Sequence, residues 1–258
     1  MFKIIYIVLL CSFVSHAQKK EAIKLTYKAT NYLDITAISY DDLYLFTDKS
    51  KSFYIKGKFS YNRRKNSPDA IYSLPNSKEA NYIYITENQN FKIKSKIKRL
   101  DNFYYFEETI PIQNWKLSDE FKTIKEVKLQ KATTTFRGRN YTAWCDLNTP
   151  ISQGPWKFNN LPGLAYEIND DAQDFHFEWQ LIKIAEPKEY NFTTYDFSKE
   201  KTINQQDYIK KLDEYYKDTV DISSTRLLEE LDVEILDTTY QKIDYRKREL
   251  EKKYEWEE

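Results

Sequence analysis

The chain has 258 residues with 40 basic and 40 acidic side chains, 16% aromatic residues, 4 glycines, 2 cysteines and 2 histidines. Balanced charge gives no overall field toward nucleic acid or an anionic membrane, and so few Cys, His and Gly residues exclude a multi-ligand zinc site and a phosphate-cradling glycine loop. The length suits one large domain or two small ones, enough to bury a core without covalent staples.

At the N-terminus Lys3 precedes the apolar run Ile4 to Val14, and Ser15-His16-Ala17 offers small residues where a signal peptidase reads. This pattern predicts a secretory signal peptide cut after Ala17 and a mature chain of residues 18–258. The run is too short to span ~30 Å of hydrocarbon comfortably, bulky Leu10 disfavours lipid modification of Cys11, and no later segment is apolar enough to hold the mature chain in a bilayer. Cys145 and His176 are then the only mature cysteine and histidine, so an exported fold rests on packing without an internal disulfide, and no metal or cofactor is implied.

Through about residue 185 the pattern is short alternating segments. Ile23, Leu25 and Tyr27 alternate with Lys24, Thr26 and Lys28, and Phe91, Ile93 and Ile97 alternate with the lysines at 92, 94, 96 and 98. Segments 52–61, 81–87, 102–110, 126–136, 140–146 and 174–184 read as strands as well, and the short links between them imply antiparallel pairing. Beyond Pro187 the period turns helical. Tyr208, Leu212, Tyr215 and Tyr216 share a face and Asn204 with Asp207 can cap it, which predicts a helix over 205–219, with further helices near 224–234 and 240–255. The expected architecture is a single mainly β (α+β) domain over 18–258. Its antiparallel sheet is curved or a half-barrel, with a closed barrel as the rival, and the C-terminal region is mostly helical from about 196.

Two of the four glycines fall in GPWKFNNLPGLAYEI, residues 154–168, each beside a proline. Pro162-Gly163 suits a type II turn with Gly163 at positive φ, followed by a strand in which Leu164, Tyr166 and Ile168 share a face. Upstream, Trp156 and Phe158 share a face around Lys157, so the stretch reads as corner, short strand, corner, strand. Together with Arg137-Gly138-Arg139-Asn140-Tyr141-Thr142-Ala143-Trp144 and Thr149 to Phe158, the sequence Leu161-Pro162-Gly163-Leu164 resembles the GLPGLI family of small exported bacterial proteins. The resemblance runs from about Trp115 to Ile184, with Asn160 where the family has its first glycine and Ala165 where it has isoleucine. It implies a protein of the periplasm or cell envelope of a gram-negative bacterium, or one secreted beyond it. It supplies no catalytic residue, cofactor or mechanism.

Cys145 and His176 are the only nucleophile and base of the Cys/His type, and both fall inside strands, where a packed thiol and a sheet histidine are the plainer reading. The lysine row 92–98 reads first as a solvated or aggregation-resistant face. Adjacent acids such as Glu107-Glu108 and Asp170-Asp171 point to opposite faces of a strand and so do not form an acid-base pair. Arg137 and Arg139 flank Gly138 in what reads as a hairpin turn, where they either clamp a carboxylate or phosphate or keep the turn soluble. As a binding surface, Trp156, Leu161, Pro162, Gly163 and Leu164 would give an apolar contact and the two arginines a polar rim; as structure, the same apolar residues would plug the core. Two functions follow: a non-enzymatic binding or envelope-assembly protein whose partner is an apolar ligand or an envelope protein, or a secreted hydrolase using carboxylates.

Overall fold

The computed structural model describes residues 21–32, 36–49, 51–57, 60–62, 71–73, 82–87, 91–99, 102–186, 200–215, 246 and 249–257. Its strands are β1 (Ala22–Asn31), β2 (Thr36–Phe46), β3 (Lys51–Ile55), β4 (Ser60–Asn62), β5 (Ile71–Ser73), β6 (Tyr82–Glu87), β7 (Lys92–Arg99) and β8 (Asn102–Thr109). They continue as β9 (Lys116–Ile124), β10 (Val127–Phe136), β11 (Arg139–Asp146), β12 (Leu164–Asp170), β13 (Phe175–Ile184) and β14 (Ile203–Asn204), followed by helix α1 over 205–215. All belong to one open, curved sheet in the order β14-β8-β7-β6-β3-β2-β1-β13-β12-β11-β10-β9, with β4 on β2 and β5 on β4. Neighbours are antiparallel except β14, which runs parallel to β8. The β1–β13 pair, from Ile23 opposite Ile184 to Asn31 opposite Phe175, joins the two runs of hairpins.

Alternation builds the two faces. Leu25 and Tyr27 on β1, Leu43 on β2, Tyr54 on β3 and Phe106 on β8 are buried in one inner cluster. Lys92 and Lys94 of β7 instead meet Glu107 of β8 on the outside, at 2.7 and 3.4 Å, and Lys96 lies 4.3 Å from the Phe103 ring centroid. Lys92, Lys94 and Lys96 therefore form a paired, solvated face. A smaller outer cluster gathers Tyr44, Phe46, Phe53 and Ile85 with Ala22 and Ala185.

Helix α1 lies on the inner face. The Asp207 N–H donates to Asn204 Oδ1 at 2.7 Å and Asn204 Nδ2 to the Asp207 carboxylate at 2.9 Å, a reciprocal cap for the first turn. Tyr208, Ile209 and Leu212 are buried, and Tyr208 stacks on Phe106 with ring centroids 4.5 Å apart.

Several expectations are corrected. The segment 52–61 is two strands, both on β2, with Gly57 between them: its N–H donates to Asp41 Oδ1 at 2.9 Å, and a Cβ there would stand 2.0 Å from the Tyr40 carbonyl oxygen. Strands β2 and β9 were not expected, since Asp41-Asp42 interrupts the alternation of one and Ser118-Asp119-Glu120 that of the other. Of the helix expected over 240–255, residues 249–255 are not helical; their backbone groups bond instead to Arg137 and to β11, as described below. The helix expected near 224–234 lies outside the described residues.

Candidate functional site

Phe136 pairs with Arg139 across a two-residue turn, Arg137-Gly138, whose φ angles of 45° and 79° make it a type I′ hairpin. This turn aims both arginines inward, leaving their side chains 1% and 2% exposed. Arg137 Nη1 donates to Glu108 Oε2 at 2.6 Å and also to Glu251, while Nε and Nη2 hold the Glu255 carboxylate at 3.0 and 3.2 Å. Arg139 Nη1 bridges Asp170 at 2.5 Å and Asp174 at 2.8 Å, and its Nε donates to the Glu249 carbonyl at 2.9 Å. The arginines clamp carboxylates, and the carboxylates belong to the chain itself.

The loop from Leu147 to Gly163 covers the inner face between β11 and β12. Its start is anchored by Asp146, whose carboxylate accepts from the Asn148 N–H at 3.0 Å and the Thr149 hydroxyl at 2.6 Å. Trp156, Phe158 and Leu161 are buried in the main core with Leu164, and Pro162 is half-buried. No short strand forms around Trp156. The residue sits in a turn at φ 56°, and Gly154 N–H donates to Phe158 O at 2.9 Å to close it. The type II turn is likewise corrected. Gly163 does not adopt positive φ, whereas Asn160 does, at φ 54°. Gly163 is required by proximity, because a Cβ would lie 2.2 Å from the Asp146 carbonyl oxygen.

Lys157 enters between the rings of that loop and completes the charged cluster. Its Nζ is 2.5 Å from Glu108 Oε1 and 2.8 and 2.9 Å from the Glu251 oxygens, with the Lys157 side chain 1% exposed. Burial works against the charge on Arg137, and Glu251, Glu108 and Glu255 outweigh it, so its pKa stands above the ordinary arginine value. Burial also works against the Glu251 carboxylate, but Lys157 and Arg137 hold its pKa below the usual range. A polar strap supports the lysine from behind: Gln113 Nε2 donates to the Lys157 carbonyl at 3.1 Å, and Trp115 Nε1 to the Asn159 carbonyl at 2.9 Å.

The adjacent acids divide as strand geometry requires. Glu107 faces out to lysines and Glu108 faces in to Arg137 and Lys157; Asp170 is buried on Arg139 and Asp171 is exposed. Cys145 is buried, and burial pushes its thiol up to about 12. His176 pairs in register with Asn169 and Thr30, whereas Cys145 pairs with Gln130 and Ala165, so the strands do not bring the two together. Among the described residues no group of His, Cys, Asp and Glu is placed to hold a metal ion, and no helix is long and apolar enough to cross a membrane.

Cavities among the described residues frame these elements. One of about 90 Å³ lies between the sheet, α1 and the C-terminal segment, bounded by Tyr54, Tyr84, Phe106, Tyr208 and Tyr254. A polar groove of about 590 Å³ runs past Gln113, Thr133, Thr135, Asn140 and Glu255. An apolar groove of about 510 Å³ opens beside the β2–β3 turn and is lined by Ile23, Leu45, Phe91, Pro150 and Ile151, with Thr47, Lys49 and Gln153 among its polar residues.

Lys157, Glu108, Glu251 and Glu255 were not singled out from the sequence. A lysine flanked by Trp156 and Phe158 in an aromatic stretch was the available signal for the first, and the alternation of Glu107 with Glu108 for the second. The two C-terminal glutamates lie more than 90 residues from their partners in sequence, and nothing local marks them.

No protein-family model matches this chain, and no curated protein matches it. Two solved structures of PNGF-II, in space groups P21 and C2, are similar to it with TM-scores of 0.43 and 0.44 at 12% and 13% identity. Each alignment covers 72% of this chain and 31% of the other, so the chain spans about a third of the length of those neighbours.

Proposed function

We propose that this chain is an exported protein of the gram-negative cell envelope, a member of the GLPGLI family by its Arg137–Trp144 and Gly154–Leu164 motifs, and that it acts by binding an apolar chain without catalysing a reaction. The groove at Ile23, Leu45, Phe91 and Ile151 carries the reading. Ile23 and Leu45 continue the inner apolar rows of Leu25 and Leu43, and the rows run past the covering loop into open space. Ile184, opposite Ile23 on β13, is 76% exposed beside it. An open apolar groove with a few polar groups suits an acyl-type ligand. The converging carboxylates, Glu108 and Glu251, share the same two cations, which gives them no separated acid and base environments.

Titration of the mature chain with a fluorescent long-chain fatty acid tests this. Saturable binding is expected, with a loss of at least tenfold in Ile151→Glu at an unchanged melting temperature, because Ile151 is only partly buried. Absence of saturable binding, or equal binding by the variant, overturns the reading. Recovery of the chain in the periplasmic or outer-membrane fraction is the matching test of export.

A further inference from the structure

The segment 249–257 lies on the β10–β11 hairpin in the manner of a bound peptide. Its backbone is read at successive residues: Arg139 donates to the Glu249 carbonyl at 2.9 Å, the Tyr141 hydroxyl to the Leu250 carbonyl at 2.9 Å, and the N–H groups of Lys252 and Lys253 to the Arg137 carbonyl at 2.9 and 3.2 Å. Its side chains alternate between charge and aromatic anchors. Glu251 enters between Lys157 and Arg137, Glu255 forks onto Arg137, and Tyr254 is buried with its ring centroid 5.2 Å from the Arg137 guanidinium carbon. Gly138 makes room for it, since a Cβ there would stand 3.1 Å from Lys252 Cβ and 3.2 Å from the Lys253 nitrogen.

Charge specifies the occupant. Arg137 and Lys157, both 1% exposed beneath the segment, face the single carboxylate of Glu108 on β8, so without the segment these two cations would share one anion. Such an imbalance is unfavourable unless a second carboxylate enters. The geometry points to a peptide-binding site at the Arg137-Gly138-Arg139 hairpin and Lys157, one that takes an extended acidic and aromatic segment of the form Glu-x-x-Tyr-Glu. The chain's own residues 251–255 fill it in cis. The partner it fits is a segment of the same chemistry on another protein, which gains entry by displacing the tail. Backbone bonds give such a complex its affinity, and the buried Glu and Tyr positions give it selectivity.

The test uses the whole mature chain and a fluorescein-labelled peptide with the sequence of residues 246–258, RKRELEKKYEWEE. Glu251→Gln weakens the cis occupant and leaves the receiving hairpin intact. That protein should take the labelled peptide at least tenfold more tightly than the unmodified chain by fluorescence anisotropy. A second peptide with Gln at the position of Glu251 should bind at least tenfold more weakly to the same protein, a comparison in which the protein is unaltered. Circular dichroism and the melting curve establish that Glu251→Gln is folded. Failure of the folded variant to bind the peptide, or equal affinity for the Glu and Gln peptides, overturns the assignment.

Discussion

The inner face is held in two chemically different ways, by the loop of Trp156, Phe158 and Leu161 and by the cluster of Arg137, Lys157, Glu108 and Glu251. In the loop the stabilising term is area: three large side chains leave water together, with Trp156 and Phe158 meeting at 5.3 Å between centroids and Trp115, Phe136, Tyr141 and Phe177 closing around them. In the cluster the term is compensation. Each charge is costly to bury and is tolerated because partners from β8, the β10–β11 turn, the loop and the C-terminal segment arrive at one point. Changes in the first region should lose stability in proportion to volume. Changes in the second should depend on which charge is left alone and on pH.

The largest expected effect places a charge in the apolar region. Leu161 is 4% exposed, so Leu161→Asp combines lost core volume with an unpaired buried carboxylate and should cost upward of ~4 kcal/mol. A large fall in Tm is expected. An unchanged Tm would mean that the loop is a free surface and would collapse the comparison.

Arg137→Ala comes next, at about 3–5 kcal/mol, because Glu108 and Glu251 lose a shared cation while remaining buried. Acid should reproduce part of this loss. Glu251 has a folded pKa below its unfolded value, so its contribution is complete above pH ~4.3 and disappears as the pH falls from there through the lowered folded value. Urea denaturation across that acid window should show the decline in the unmodified chain and a shallower one in Glu251→Gln. Equal slopes would remove Glu251 from the account.

The smallest effect is expected at Cys145. Cys145→Ser should cost at most ~1–2 kcal/mol, the loss of a well-packed thiol, and with its pKa raised to about 12 the native thiol should alkylate slowly at pH 8. Rapid alkylation of the folded chain would show an open, activated site that the packing does not provide.

Much of this fold was legible because its signals are local. A period of two marks β1, β7 and β8, the Asn204 and Asp207 pair marks the start of α1, and Glu107-Glu108 already implies one carboxylate on each face. Where short polar residues break the alternation, as at Asp41-Asp42 in β2 and Ser118 to Glu120 in β9, the strand is stabilised by its neighbours and the pattern is silent. The candidate surface was legible only as a list of residues. Arg137 and Arg139 were visible as a pair able to clamp carboxylates, but which carboxylates they hold was not.

The sequence by itself determined the alternating strands, the helix cap and the position of the Gly/Pro corners, since each depends on backbone preferences and side-chain spacing within a few residues. Tertiary structure decided the rest. Gly163 is glycine because the Asp146 carbonyl passes 2.2 Å from where its Cβ would be, and Asn160, not Gly163, adopts positive φ. Arg137, Lys157 and Glu108 are charged and buried, with Glu251 largely so, because four distant parts of the chain neutralise one another at a single point. Electrostatic compensation acts between positions in space, and no local pattern records which positions will meet.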